Sequence, residues 1–264
     1  MVVSAKGFVF ADKTSDDFNL IICEFNGISV TDTSCGEVEF SLVSSPIQNK
    51  WFKSGNSTYT EAIKFGFSFA KSNFQPIDTY EYSSIVRWLE RKDNYKDFLL
   101  VRSDYDNIHF FSQLNVSPIE INGDIIGINI TGITNAPFGY APLSVKTFDT
   151  DNGNEFSFVD LSDEIGYIYP DLEISIKNDC DLSITNLTEN RTFTLRNCVA
   201  NEIITIDGST LQIDTTAISH NLFSDTNYQF VRIINDYNKR KNVFKISGEC
   251  TVKMTYRPIR KVVL

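Results

Sequence analysis

The chain has 264 residues, a net charge of −10, 21 Phe and 11 Tyr. That length allows one large β domain or two of about 100–150 residues, and the aromatic, Ile and Thr content suits strands better than helices. The negative balance argues against a nucleic-acid surface, which is normally basic, and no apolar stretch is long enough for insertion into a membrane.

Charge is unevenly placed. Residues 1–140 carry 11 basic and 17 acidic side chains, residues 141–231 carry 4 and 15, and residues 232–264 carry 9 and 2. The basic tail therefore reads as solvated strand faces that can pair with acidic neighbours. Five cysteines (Cys23, Cys35, Cys180, Cys198, Cys250) form no CxxC pair. They read as thiols of a protein made in a reducing cytoplasm rather than as a disulfide framework. The opening Met-Val-Val-Ser-Ala-Lys-Gly-Phe lacks the apolar run of a signal peptide, so export by the usual route is not expected.

In chain order, Phe8-Val-Phe10 reads as a strand, residues 12–17 as a polar turn, and Phe18 to Cys23 as a second strand. Val38 to Leu42 alternates again. Glu61 to Phe69 sets Ile63, Phe65, Phe67 and Phe69 on one face, a core or interface strand and the candidate oligomer interface. One segment predicts a helix, roughly 79–91. Asp78 stands as N-cap with Glu81 three residues on, and Tyr82, Ile85, Val86 and Leu89 recur at helical spacing with Trp88 beside them. It reads as a brace across a sheet.

Strands at 98–101 and 108–111 follow, then a hairpin over 119–130 turning at Asn122-Gly123-Asp124. The Pro- and Gly-bearing stretch 135–142 predicts a boundary between domains 1–140 and 141–264. Beyond it, short strands at 172–177, 182–187, 192–196, 202–206, 211–213 and 228–234 predict an antiparallel β-sandwich. Phe244 to Arg257 is the clearest alternation of all. Phe244, Ile246, Cys250, Val252, Met254 and Tyr256 share one parity, and only Gly248 breaks it, so it reads as one long strand with a bulge or bend at that glycine.

Chemistry is hard to find. His109 sits on a strand between apolar neighbours and His220 in a turn. HExxH, GxSxG, Walker and Cys/His patterns are all missing, so no catalytic, cofactor-binding or metal site is assigned and no cofactor is expected. Asp149 to Asp160 faintly echoes a calcium loop, but its glycine stands one place early and its last position is not Glu, so it reads as a polar turn. With 34 carboxylates a glycan hydrolase is the least favoured reading, since nothing singles out a pair.

The opening Phe8 to Leu20, with Ser15-Asp-Asp-Phe18-Asn19-Leu20, resembles the first hairpin of the distal tail protein (Dit) family of siphophages, with Asn19 where glycine is usual. Asn186-Leu-Thr-Glu-Asn190-Arg191, Asn201 to Asp207, Phe230-Val-Arg-Ile233, Ile246-Ser-Gly248 and Thr255-Tyr-Arg257 resemble its C-terminal half in the same order. The resemblance implies a mainly β protein: an N-terminal β-sandwich or split-barrel-like ring domain with one α-helix, then a galectin-like antiparallel β-sandwich. It further implies a non-enzymatic structural hub, a homohexameric ring at the tail tip or baseplate of the virion. Its partners would be the tail tube, tape measure and receptor-binding proteins, and it would be assembled in the host cytoplasm. The alternative is a lectin-like module binding host-wall glycans. Both tryptophans, Trp51 and Trp88, lie in the first half, so Tyr167 and Tyr169 are the candidate, weak glycan platform. Tyr228 and Tyr237 are lesser candidates, Tyr228 being read as core.

Overall fold

The computed structural model describes residues 5–23, 25, 38–44, 51–59, 61–102, 108–236 and 238–261. Cys35, Tyr237 and residues 103–107 lie outside them. The chain divides into two compact units, Met1–Ala141 with Arg260–Leu264, and Pro142–Ile259.

In the first unit, β1 (Ala5–Phe10), β2 (Lys13–Thr14), β3 (Leu20–Ile22), β4 (Val38–Ser44), β5 (Trp51–Tyr59) and β6 (Lys64–Lys71) precede α1 (Thr79–Leu89). Then come β7 (Lys96–Arg102), β8 (His109–Ile121), β9 (Asp124–Thr134) and β10 (Gly139–Tyr140). One sheet runs β2-β1-β7-β8-β9-β6-β3, and among the described residues β4 and β5 pair only with each other. Asn19 takes the left-handed conformation (φ 53°) at the end of a 3-10 turn over Ser15–Phe18, a place where Asn substitutes for glycine at little steric cost. Asn122 and Gly123, both at positive φ, make the two-residue turn that the β8–β9 register requires.

The helix forms as its caps and spacing predict. Asp78 accepts from the Glu81 N–H at 2.8 Å, while the Glu81 carboxylate pairs with Lys71 at 2.7 Å instead of closing the capping box. Trp88, set beside the apolar stripe in the sequence reading, is central to it. Its ring stacks on Phe8 and Phe18, and its Nε1–H donates to the Phe10 carbonyl at 2.8 Å. Indole burial thus supplies contact area while its polar atom finds a partner.

The expected oligomer face is corrected. Ile63, Phe65, Phe67 and Phe69 are 1–5% exposed and belong to the first unit's own core. Phe65 and Phe67 stack on Phe98, and Phe69 lies against Phe8. Gly132, opposite Phe65 on β9, leaves the ring its space, since a Cβ there would stand 2.4 Å from it. Four large side chains in register fill this interior and leave nothing for a neighbour.

The second unit begins with β11 (Ser144–Asp149), β12 (Glu155–Val159), β13 (Gly166–Ile168), β14 (Asp171–Ile176), β15 (Cys180–Asn186) and β16 (Arg191–Cys198). It continues with β17 (Ile203–Ile206), β18 (Ile213–Thr215), the single turn α2 (Leu222–Asp225), β19 (Ile233–Asn235), β20 (Lys241–Ser247) and β21 (Cys250–Tyr256). Two antiparallel sheets, β11-β21-β14-β17-β18 and β12-β20-β15-β16, form a sandwich, and β13-β19 is a separate pair. Ile174, Ile204, Val252 and Met254 of one sheet share a core with Ile184, Phe193, Phe244 and Ile246 of the other. Each such burial contributes about 1.5–3 kcal/mol.

The stretch 244–257 proves to be two strands. At Gly248 (φ 111°) the chain leaves the four-stranded sheet as β20 and enters the five-stranded one as β21. The apolar parity survives because both strands face the same core from opposite sides, so a corner between layers looks in sequence like an uninterrupted strand. The reading of Tyr228 to Ile234 as a strand is also shortened, to Ile233–Asn235. Tyr228 has positive φ and is 48% exposed, not core.

After β21, β22 (Ile259–Arg260) pairs with β10. A fragment of residues 142–259 keeps both sheets and their core, and it is expected to be soluble and β-rich. Circular dichroism and a cooperative thermal transition check this; aggregation of the fragment under conditions where the full chain stays soluble would refute it.

Candidate functional site

Among the described residues, four groups of side chains are candidates for a site. On β11, the Asp149 carboxylate accepts from the Asp151 N–H at 2.9 Å and from Thr251 at 3.1 Å, and it pairs with Lys177. Asp151 also reaches the Lys177 ammonium, at 2.6 Å. The hydrogen bond from Lys177 holds Asp149 below the usual carboxylate range. The segment that echoes a calcium loop therefore closes around a lysine, and among the described residues no group of three His, Cys, Asp or Glu side chains is placed to hold a metal ion. Asp160, at the loop's far end, is buried beside Ser162, and burial raises it.

The second place is His220. Its side chain is 1% exposed and that of Glu202 is 0% exposed, with Nδ1 2.6 Å from Glu202 Oε1. Nε2 lies 2.8 Å from the Arg196 carbonyl. Glu202 also accepts from the Val199 N–H at 2.9 Å and from the Thr215 hydroxyl. Burial acts to raise Glu202, but the hydrogen bonds from Thr215, His220 and Val199 outweigh it and leave the carboxyl below its ordinary range. The dyad is a lock between β16, β17 and the 216–222 segment rather than an acid–base pair, for both partners are sealed from substrate. Sequence reasoning missed it because the two residues are far apart in sequence and share no motif. His109, in contrast, is part-buried and hydrogen-bonded to Asp97 at 2.8–2.9 Å.

Third, Tyr167 and Tyr169 do come together, but with rings 5.5 Å apart and inclined at 75°. Tyr167 is 57% exposed, and the Arg232 guanidinium lies over its ring at 4.4 Å. Glu189 fixes that guanidinium through Nε at 2.8 Å and Nη2 at 2.7 Å. Tyr169 packs partly buried against the core. The pair is a corner with one face taken by a cation, not a continuous flat surface.

Last, a groove of about 530 Å³ runs over the outer face of the five-stranded sheet, lined among others by Asp171, Glu173, Asp207, Asp214 and Lys253. Asp171 caps the Gly208 N–H at 2.8 Å. Asp207 binds Ser209 and Thr210, whose hydrogen bonds lower it. Lowering is the wrong direction for the general acid of a glycan hydrolase, which needs a raised carboxyl. Among the described residues of the first unit, the most exposed large apolar side chains are Phe74 (77%), Tyr80 (88%) and Ile121 (55%). The Ile77–Ile125 bridge sets the segment before α1 alongside the β8–β9 hairpin.

Residues 3–136 match the phage tail protein N-terminal domain, and residues 138–256 match the phage tail C-terminal domain. The chain belongs to this phage tail protein family. Among relatives, it is 23% identical over 256 residues to the SPbeta prophage-derived uncharacterized protein YomH of Bacillus subtilis (strain 168), covering 90% of this chain and 94% of that protein. Among solved structures, it is similar to SPP1 Dit (gp 19.1), described as a paradigm of the hub adsorption apparatus in phages infecting Gram-positive bacteria. The TM-score is 0.63 at 9% identity, over 95% of this chain and 98% of that one. The mainly β fold of this phage tail protein is thus shared with a distal tail protein, in line with the resemblance carried by its residues.

Proposed function

We propose that this phage tail protein is a non-enzymatic hub of the tail tip or baseplate, a subunit of a homohexameric ring joining the tail tube to the host-adsorption apparatus. The observation that carries the reading is a fold shared with SPP1 Dit over 95% of the chain, both units included. Lys177 with Asp149 and Asp151, His220 with Glu202, and Arg232 with Glu189 are each paired within their own cluster. The tail tube, tape measure and receptor-binding proteins are its partners, and it is assembled in the host cytoplasm. The first unit builds the ring, and Phe74, Tyr80 and Ile121 are the side chains offered to the neighbouring subunit, in place of the buried Phe65 face. Micrographs and light scattering of the purified chain are expected to give a six-membered ring with a central channel. The double substitution Phe74→Asp, Tyr80→Asp is expected to return it to monomer with its thermal transition kept. A wild-type chain that stays monomeric at high concentration would overturn the ring, and a ring that survives the double substitution would overturn the contact.

The lectin reading rests on Tyr167 and Tyr169. Sugar stacking uses an open, flat aromatic face, and here Arg232 already lies on Tyr167. The second unit is a galectin-like spacer or docking surface on this proposal. A glycan array and titration calorimetry are expected to show no saturable simple-sugar binding; binding abolished by Tyr167→Ala would restore the lectin.

A further inference from the structure

Cys180 and Cys198 stand directly opposite each other in the antiparallel β15–β16 pair, where the register shifts before Leu182. Opposed residues in such a pair share a face with their Cα atoms about 4.5–5.5 Å apart, inside the roughly 4.4–6.8 Å that a disulfide spans. Cys180 is part-exposed and Cys198 is 2% exposed, and both are free thiols. Gly248 opens the space beside them, since a Cβ there would lie 3.2 Å from Cys180 Sγ. Cys250, the third thiol of this unit, is fully buried on the other sheet with Ile176 as its strand partner.

We propose that Cys180 and Cys198 are an oxidisable pair that closes to a cross-strand disulfide when a low-molecular-weight disulfide such as oxidised glutathione is present. The accessible Cys180 thiolate attacks one glutathione sulfur, the glutathione S–S bond breaks, and the departing thiolate takes a proton. Cys198 then loses its proton and attacks the Cys180 sulfur of the mixed disulfide, expelling the second glutathione. Two thiols are oxidised by two electrons, and one oxidised glutathione becomes two reduced ones. Closure is the slow step, because burial, with Glu202 and Cys180 nearby, pushes the Cys198 thiol up to about 12 and keeps it protonated. On the hub reading the change of medium comes with release from the host; the chemistry depends only on the strand pair.

The test treats reduced full-length protein with oxidised glutathione at mildly alkaline pH, then counts thiols and maps peptides without reduction. Two of five thiols are expected to disappear, with a Cys180–Cys198 cross-linked peptide and a melting midpoint raised by about 5 °C that dithiothreitol reverses. Cys180→Ser, at a part-exposed position that tolerates the change, should abolish the cross-link and the shift, while Cys250→Ser keeps both. Stable glutathionylation of Cys180 without closure, or a cross-link running to Cys250, would overturn the proposal. Neither outcome bears on ring formation.

Discussion

His220→Leu is expected to destabilise the second unit by about 3 kcal/mol, since a buried polar group left without its partner costs about 1–3 kcal/mol and a carboxylate falls at the upper end. Both ring nitrogens face acceptors, the Glu202 carboxylate at 2.6 Å and the Arg196 carbonyl at 2.8 Å. Removing it strands a carboxylate whose side chain is 0% exposed and frees a carbonyl that anchors the 216–222 segment to the end of β16. Urea denaturation at neutral pH measures the loss, and an unchanged midpoint would refute the lock. The double substitution His220→Leu, Glu202→Met should recover only part of it, because it removes the stranded carboxylate but leaves the Val199 N–H and the Thr215 hydroxyl without their acceptor. The pH dependence has a definite sign. Glu202 is depressed on folding, so its contribution is complete above the unfolded carboxyl value of 4.5 and fades as pH falls through the lower folded value. Below about pH 4.5 the wild-type midpoint should therefore drop more steeply than that of Glu202→Gln.

Asn242→Leu is expected to cost about 3 kcal/mol, since buried polar groups left unpaired cost about 1–3 kcal/mol each. Asn242 is 0% exposed and its amide is fully used. Oδ1 accepts from Ile234 N–H at 2.9 Å and Asn186 Nδ2 at 3.0 Å, and Nδ2 donates to the carbonyls of Ile234 at 2.8 Å and Arg240 at 3.3 Å. Toward Ile234 the side chain behaves as one peptide unit of an adjacent strand, binding both main-chain groups. Hydrogen exchange separates this from general loosening: the Ile234 amide should lose protection ahead of the β15–β20 ladder. Uniform loss across the sandwich would contradict the assigned role.

The first unit's helix and the β8–β9 turn were legible because their signals are local. A cap three residues from its partner and Asn-Gly between alternating runs are decided by near neighbours. The four-residue apolar face at 63–69 was legible as a core or interface strand but not as which of the two, since period 2 says that one side is dry without saying what dries it. Gly248 shows the same limit from the other side: alternation carries through a corner between sheets as readily as along one strand. Strands β11 and β12 flank an acidic turn whose Asp spacing resembles a set of oxygen ligands, and only Phe156 and Phe158, alternating on β12, carry a strand signal there. The candidate glycan pair was legible to the extent of two tyrosines sharing a strand face. Arg232, which covers one of them, comes from a different part of the chain. The His220–Glu202 lock left no local trace at all.

The pairing of β22 with β10 ties the far end of the second unit to the first. The second unit is an insert, entered after β10 and left at β22, and these two short strands are hydrogen-bonded to each other. A chain ending at Pro258 would lack β22 and leave β10 without that strand partner. Conversely, recombination that exchanges residues 142–258 between related tails can splice in a different module between two strands that pair with each other, keeping both β10 and β22.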